Sequence, residues 1–206
     1  MKDILVKRKE AERRKRVERI LRAGGKLFLK KGYANTTMRD ICQRAELSTG
    51  AVYFYFTGKD EIYTNICEES FHVLLDMFRN AVKDLPSPMD RLNELKKTYL
   101  KFYTTCHDRW LLLTSGFRNA GLSHELMERI EQLDVQTLSV PHETIIDLLE
   151  EKGLAQKYDS MEITIALWAS IEGLLTIHNQ GYFKNTQLTL DQLVDTQLDI
   201  FLKGLQ

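Results

Sequence analysis

The chain has 206 residues, 43% of them hydrophobic, with 29 basic and 29 acidic side chains. That composition supports one sizeable core plus a small satellite domain and excludes a disordered chain. No apolar run reaches the ~18 residues of a membrane span and the amino terminus lacks the apolar segment of a signal peptide, so a cytoplasmic protein with no membrane partner is expected. Cys42, Cys67 and Cys106 are odd in number and widely spaced, which fits reduced thiols; a redox role for Cys67 or Cys106 is the minor alternative.

The neutral total conceals a split. Residues 1–62 carry 16 Lys and Arg against 8 Asp and Glu, whereas the remainder carries 13 against 21. One part of the chain is therefore suited to a polyanion and the other is not. The run KRKEAERRKR at 7–16 offers counterion-release affinity without sequence information; a solvated helix start is its structural alternative.

The elements read in chain order are all helices. The first is predicted from Lys7 to Lys31, stopped by Gly32, with Val17, Ile20, Leu21, Leu27 and Phe28 as a core-facing stripe. Thr37 and Asp40 form a cap pair for a second helix whose Met38, Ile41, Cys42 and Ala45 recur at helical spacing. After Glu46 and Leu47 the chain turns, and Ser48 or Thr49 caps a third helix with Ala51, Val52 and Phe56 pointing back. This leaves Thr49, Gly50, Tyr53 and Tyr55 outward. Two short helices joined by a tight turn over about 37–56 have the layout of a DNA-reading helix-turn-helix, in which small residues permit close approach and tyrosines reach phosphates. Gly50 near a helix start is costly as pure structure and is explained by approach to a nucleic-acid surface.

Leu27, Phe28, Gly32, Tyr33, Thr36, Thr37, Ile41, Ala45, Leu47, Ser48, Gly50, Tyr53, Tyr55, Phe56 and Lys59 fall in the order and spacing of the TetR family's amino-terminal domain. The resemblance covers about residues 12 to 65; downstream, only helical organisation and length are similar. Two departures are visible: Glu46 stands where many members have glycine, and Tyr55 occupies a slot often held by histidine. A left-handed backbone at Glu46 would cost roughly 1 kcal/mol. The resemblance implies an all-α chain, with a three-helix DNA-binding domain at 7–58 and a larger helical ligand-binding and dimerisation domain at 59–206. It implies DNA-binding residues Thr37, Ser48, Thr49, Gly50, Tyr53, Tyr55 and Lys59, and a ligand-responsive regulator, expected to be a repressor.

Beyond the motif a long helix is predicted from near Lys59 to about Asp84, with Thr57 and Asp60 as a possible cap pair. Ser87 and Pro88 start the next, which runs to about Cys106. A segment from Asp108 to Asn119 precedes a helix from Ser123 to Gly153, with an interruption or kink expected at Pro141. The last two helices are about Met161–Tyr182 and Leu190–Lys203.

Reading an inverted repeat takes two symmetric copies, so a homodimer on a palindromic double-stranded DNA operator is expected. Ile163, Leu167, Ser170, Leu174 and Ile177 make one stripe and Leu190, Leu193, Val194, Leu198 and Phe201 another. Such stripes also describe intrachain core; the family resemblance assigns them to a four-helix bundle with the partner. Gly173 allows close approach of a helix or room for a neighbouring side chain. Between reader and final helices, Tyr99, Phe102, Tyr103, Trp110, Phe117 and Trp168 are candidates to line an apolar pocket, with Arg118, Glu172 or His178 as polar anchors. Helical core is the competing use for these residues. The expected effector is a small hydrophobic or amphipathic molecule. No metal, cofactor or catalytic residue is indicated: the five histidines lack tight ligand spacing, and neither a phosphate-cradling glycine loop nor a nucleophile motif occurs. A helical scaffold with a basic nucleic-acid-binding segment is the alternative, and it leaves Gly50, Tyr53, Tyr55 and Lys59 unexplained.

Overall fold

The computed structural model describes residues 2–114 and 122–205, with side chains from residue 6 onward. Its described elements are helical: α1 (Lys2–Lys31), α2 (Met38–Ala45), α3 (Thr49–Tyr53), α4 (Lys59–Val82), α5 (Pro88–Thr105), α6 (His107–Thr114), α7 (His124–Glu151), α8 (Ser160–Asn179) and α9 (Leu190–Gly204). The chain forms two compact units. The first takes residues 1–73 and 106–134 and the second takes 74–105 and 135–206. The boundary expected between residues 58 and 59 falls inside the first unit, because the opening of α4 packs with the reader.

In the first unit, Ile20, Phe28, Ile41, Ala45, Val52, Ile62 and Tyr63 are almost wholly buried, and their burial supplies most of the local driving force. α1 and α4 cross closely at Gly24, where an added Cβ would lie 2.8 Å from Ile62 Cγ2. The chain leaves α1 through Gly32, whose φ of 78° lies in the left-handed region and whose N–H donates to the Phe28 carbonyl at 2.9 Å. α1 begins five residues earlier than the sequence predicts. Residues 6–16 are exposed apart from half-buried Ala11, so a basic helical stretch about 16 Å long precedes the core.

In the second unit, α8 and α9 pack against each other, with Leu167, Ile171, Val194 and Leu198 buried, and α5 contributes Leu92, Leu95, Tyr99 and Phe102 to the buried interior. Pro141 lies within α7 and does not end it. Pro141 has no N–H to give to the helix, and nearby Ser139 Oγ donates to the Gln136 carbonyl at 2.7 Å. α7 ends at Glu151, and the chain leaves it through Gly153, with a φ of 69°.

Candidate nucleic-acid interface

The reader is built by local capping. Thr37 Oγ1 accepts from the Asp40 N–H at 3.2 Å while the Asp40 carboxylate accepts from the Thr37 N–H at 3.0 Å, closing a capping box at the start of α2. Lys31 Nζ donates to the same carboxylate at 2.9 Å. The lysine, with the Thr37 donors, holds Asp40 down at about 2. α2 ends at Glu46 with φ 50° and ψ 46°, the left-handed conformation that favours glycine. Arg19 of α1 braces that turn, donating to the Glu46 carboxylate at 2.7 Å and to its carbonyl at 3.2 Å. Ser48 then caps α3, accepting from the Ala51 N–H at 3.2 Å.

This geometry turns Val52 and Phe56 inward and leaves Ser48, Thr49, Gly50 and Tyr53 exposed on one surface. No heavy atom lies within 4 Å of where a Gly50 Cβ would stand, so nothing inside the protein requires a glycine there. Thr37 is exposed as well, although its hydroxyl also donates to Asp40 at 2.9 Å. Tyr55 is half-buried.

Lys59 has an internal assignment. Its ammonium donates to the carbonyls of Tyr33 at 3.0 Å, Ala34 at 3.3 Å and Thr36 at 3.0 Å, and stands 4.4 Å from the centroid of the Tyr33 ring. It satisfies the carbonyls of the α1–α2 connection at the point where α4 begins. The Tyr33 hydroxyl donates to Asp60, and burial raises the pKa of that phenol, with Asp60 adding to the effect. The Thr57–Asp60 cap pair read from the sequence is replaced by Thr57–Glu61: the Glu61 carboxylate accepts from the Thr57 N–H at 2.7 Å and from its hydroxyl at 2.9 Å. Sequence reasoning missed Arg19, Tyr33 and Asp60 as organisers of the reader, and passed over exposed Phe54, which reads as core by residue type.

The second unit contains an almost wholly apolar cavity of about 40 Å3, lined by residues of α4, α5, α7, α8 and α9 that include Phe78, Tyr99, Ile145, Leu167 and Trp168. Two of the aromatic candidates, Tyr99 and Trp168, line it, with their rings 4.4 Å apart. Phe102 stacks behind Tyr99 at 6.5 Å, and the Tyr103 hydroxyl lies 2.8 Å from His178 Nδ1. Trp110 belongs to the first unit, where it is buried and stacks with His107. Phe117 and Arg118 lie outside the described residues. Burial pushes Glu172 up to about 7 and the Cys67 thiol up to about 12, so Cys67 is held as a protonated thiol.

Of the residues expected at a dimer interface, Leu167, Val194 and Leu198 are buried within the chain. Ile163, Ser170, Leu174, Leu190, Leu193 and Phe201 are half-buried, and Ile177 is exposed. The outward face of α8 is instead Met161, Ile165, Ala169, Gly173, Thr176 and Ile177, with Ile165 53% exposed. No heavy atom lies within 4 Å of an added Cβ at Gly173, which removes the explanation that it accommodates a side chain of its own chain.

Comparison with known proteins places this geometry. The family model described as bacterial regulatory proteins of the tetR family matches residues 20–66. The HTH-type transcriptional regulator YerO of Bacillus subtilis (strain 168) is 34% identical over 68 residues, 33% of this chain and 24% of that protein. IcaR of Staphylococcus epidermidis, an HTH-type negative regulator of the biofilm operon icaADBC, is 23% identical over 86% of this chain and 94% of its own length. Among solved structures, the transcriptional regulator FadR from Bacillus subtilis in complex with stearoyl-CoA superposes with a TM-score of 0.76 at 15% identity, over 92% of this chain and 99% of that one. Over residues 20–66 the chain is similar to the TetR family of bacterial transcriptional regulators.

Proposed function

We propose that this protein is a homodimeric repressor that binds a palindromic DNA operator and is released by a small hydrophobic or amphipathic effector. The observation that carries the reading is the exposed surface of α3, where Ser48, Thr49, Gly50 and Tyr53 stand together in the part of the chain, residues 1–62, that carries 16 Lys and Arg against 8 Asp and Glu. Hydroxyls and an unobstructed backbone at Gly50 approach the major groove, while Thr37 and Tyr55 flank the surface and meet phosphates. Lys59 contributes by fixing the α1–α4 corner rather than by reaching the nucleic acid. The basic arm of α1 adds affinity indifferent to sequence.

A second copy of the chain covers the outward face of α8. This helix is the one described segment long and apolar enough to cross a membrane, and only 22% of its most apolar 18-residue stretch is buried. Its inner face packs on α9, and its outer face alternates Ile165 and Ile177 with the small residues Ala169 and Gly173, a surface on which another helix can approach closely. Exposed Ile200 of α9 extends the patch.

The effector enters the cavity around Tyr99 and Trp168. A drug-sized ligand needs several hundred Å3, so the helices around a cavity of about 40 Å3 must separate to admit it. Similar folds accommodate such a guest: the Bacillus subtilis FadR was solved with stearoyl-CoA. A coupling of about 1–3 kcal/mol between effector and DNA sites would change DNA affinity by roughly 5–150-fold.

The test is fluorescence anisotropy of the full chain on a duplex enriched from a random pool, across a salt series with random competitor. The expected result is two protomers per site, affinity that falls steeply with salt, and a preference for the enriched sequence. Binding indifferent to sequence would overturn the reading.

A further inference from the structure

We infer that Phe54 reads the C5-methyl group of a thymine in the major groove, an assignment that rests on the DNA-binding function proposed above. Phe54 is 77% exposed, the largest exposure of any large hydrophobic side chain among the described residues. It immediately follows the last residue of α3, beside exposed Tyr53. Its position is held: its N–H donates to the Gly50 carbonyl at 3.1 Å, and its ring meets Tyr55 edge-on at 5.0 Å and 87°. An apolar ring thus stands, in a defined orientation, at the end of the surface that faces DNA.

The chemistry narrows what this ring can recognise. A benzyl side chain has no donor or acceptor, so it cannot pair with the polar edges of guanine, cytosine or adenine. The thymine methyl is the one apolar group that a base pair of unmodified DNA presents in the major groove. Covering that methyl removes apolar surface on both partners, whereas cytosine at the same place presents a bare C5–H and offers the ring no methyl to cover. The neighbouring Tyr53 and Tyr55 carry hydroxyls for phosphate oxygens, so the aromatic trio divides between backbone positioning and base reading.

The experiment compares the full-length protein with Phe54→Ala and Phe54→Leu on the enriched duplex and on duplexes in which each thymine is replaced singly by uracil. Uracil removes only the methyl and keeps every polar edge. For the parent, a replacement in one half-site should weaken binding about fourfold, and the same replacement in both half-sites about fifteenfold, as expected for about one buried methyl each. Phe54→Ala should bind the thymine and uracil duplexes equally, and Phe54→Leu should keep the preference. Thermal melting of all three proteins should coincide, since the side chain is exposed.

Two outcomes would overturn the assignment: the same thymine preference in Phe54→Ala as in the parent, or a uniform loss by Phe54→Ala on enriched and random duplexes with no uracil effect, which would mark a deoxyribose contact. A parent that enriches no sequence at all would refute the DNA-reading function itself, a result distinct from either.

Discussion

Lys59→Met separates an organising role for this lysine from a DNA-contacting one. The methionine keeps an unbranched stem of similar length and removes the three donors that Lys59 Nζ gives to the carbonyls of Tyr33, Ala34 and Thr36. Charged hydrogen bonds contribute about 1.5–3 kcal/mol each when their loss leaves a buried partner unmade. The Ala34 bond is exposed and water replaces it; the other two are partly buried and only partly rehydrated. The expected loss is about 2–3 kcal/mol, including the contact with the Tyr33 ring. At about 2–4 °C per kcal/mol for a chain of this size, the melting temperature should fall by roughly 4–12 °C, provided the first unit melts with the rest. The slope of log affinity against log salt should be that of the parent, because no phosphate contact has been removed. A phosphate-bound lysine behaves in the opposite way: the slope would lose about 0.9 per subunit while the melting temperature stayed put. That second pattern, read by calorimetry and a salt-series anisotropy titration, would refute the internal assignment.

Four further perturbations test neighbouring parts of the structure. Gly25→Ala places a Cβ 3.6 Å from Leu112 Cδ1, ordinary contact, and should stabilise by up to about 1 kcal/mol through helix propensity; Gly24→Ala meets Ile62 Cγ2 at 2.8 Å and should lower the melting temperature or gain nothing. Gly50→Ala should leave denaturant midpoints unchanged or slightly raised, yet weaken operator binding by about 1–3 kcal/mol if the groove surface comes close; unaltered affinity would remove Gly50 from the interface. Ala169→Glu should halve the mass seen by light scattering without changing the helical circular dichroism, and a dimer that survives would take the outward face of α8 out of the interface. Glu172 binds its proton more tightly when folded, with a pKa of about 7 against an ordinary 4.5. Its contribution is therefore fully present below about pH 4.5 and is lost as pH rises through about 7, by roughly 3 kcal/mol; Glu172→Gln should flatten that fall in denaturation midpoints between pH 5 and 8.

The reader was legible because its determinants are local. Thr37 with Asp40, Ser48 before α3, and Gly32 after α1 act within a few residues, and each takes up the cap that the sequence suggests. Lys59 was not legible in the same way, since its carbonyl partners lie 23 to 26 residues away and only folding brings them together. The choice of Glu61 over Asp60 at the start of α4 has the same origin: Tyr33, 27 residues earlier, engages Asp60. Of the interruption or kink expected at Pro141, the interruption does not occur, because the cost of the proline is local whereas α7 is held by buried Ile130, Val140, Ile145 and Leu148 on both sides of it. On α8, apolar residues occur on both faces, so spacing did not reveal that Leu167 turns inward and Ile165 outward. The pocket was the least legible feature, since whether an aromatic ring borders a void depends on the packing of five helices.

That packing bears on how an effector does its work. Phe78, Tyr99 and Trp168 already occupy much of the space a ligand would take, with Tyr99 and Trp168 in ring contact at 4.4 Å. An apolar guest must displace those contacts, and the separation of rings and helices opposes its burial energy. A cavity equally open in both conformations would bind a ligand without selecting between them and would shift no equilibrium. A cavity of about 40 Å3 leaves the unexpanded arrangement preferred without ligand, so nearly all of the guest's affinity belongs to the expanded one. With the effector in this cavity, as proposed, tight packing around Trp168 would lower its affinity and raise its leverage in the same step. Trimming Trp168 to a smaller apolar residue should move both in the opposite directions: tighter effector binding, and a smaller effector-induced loss of DNA affinity.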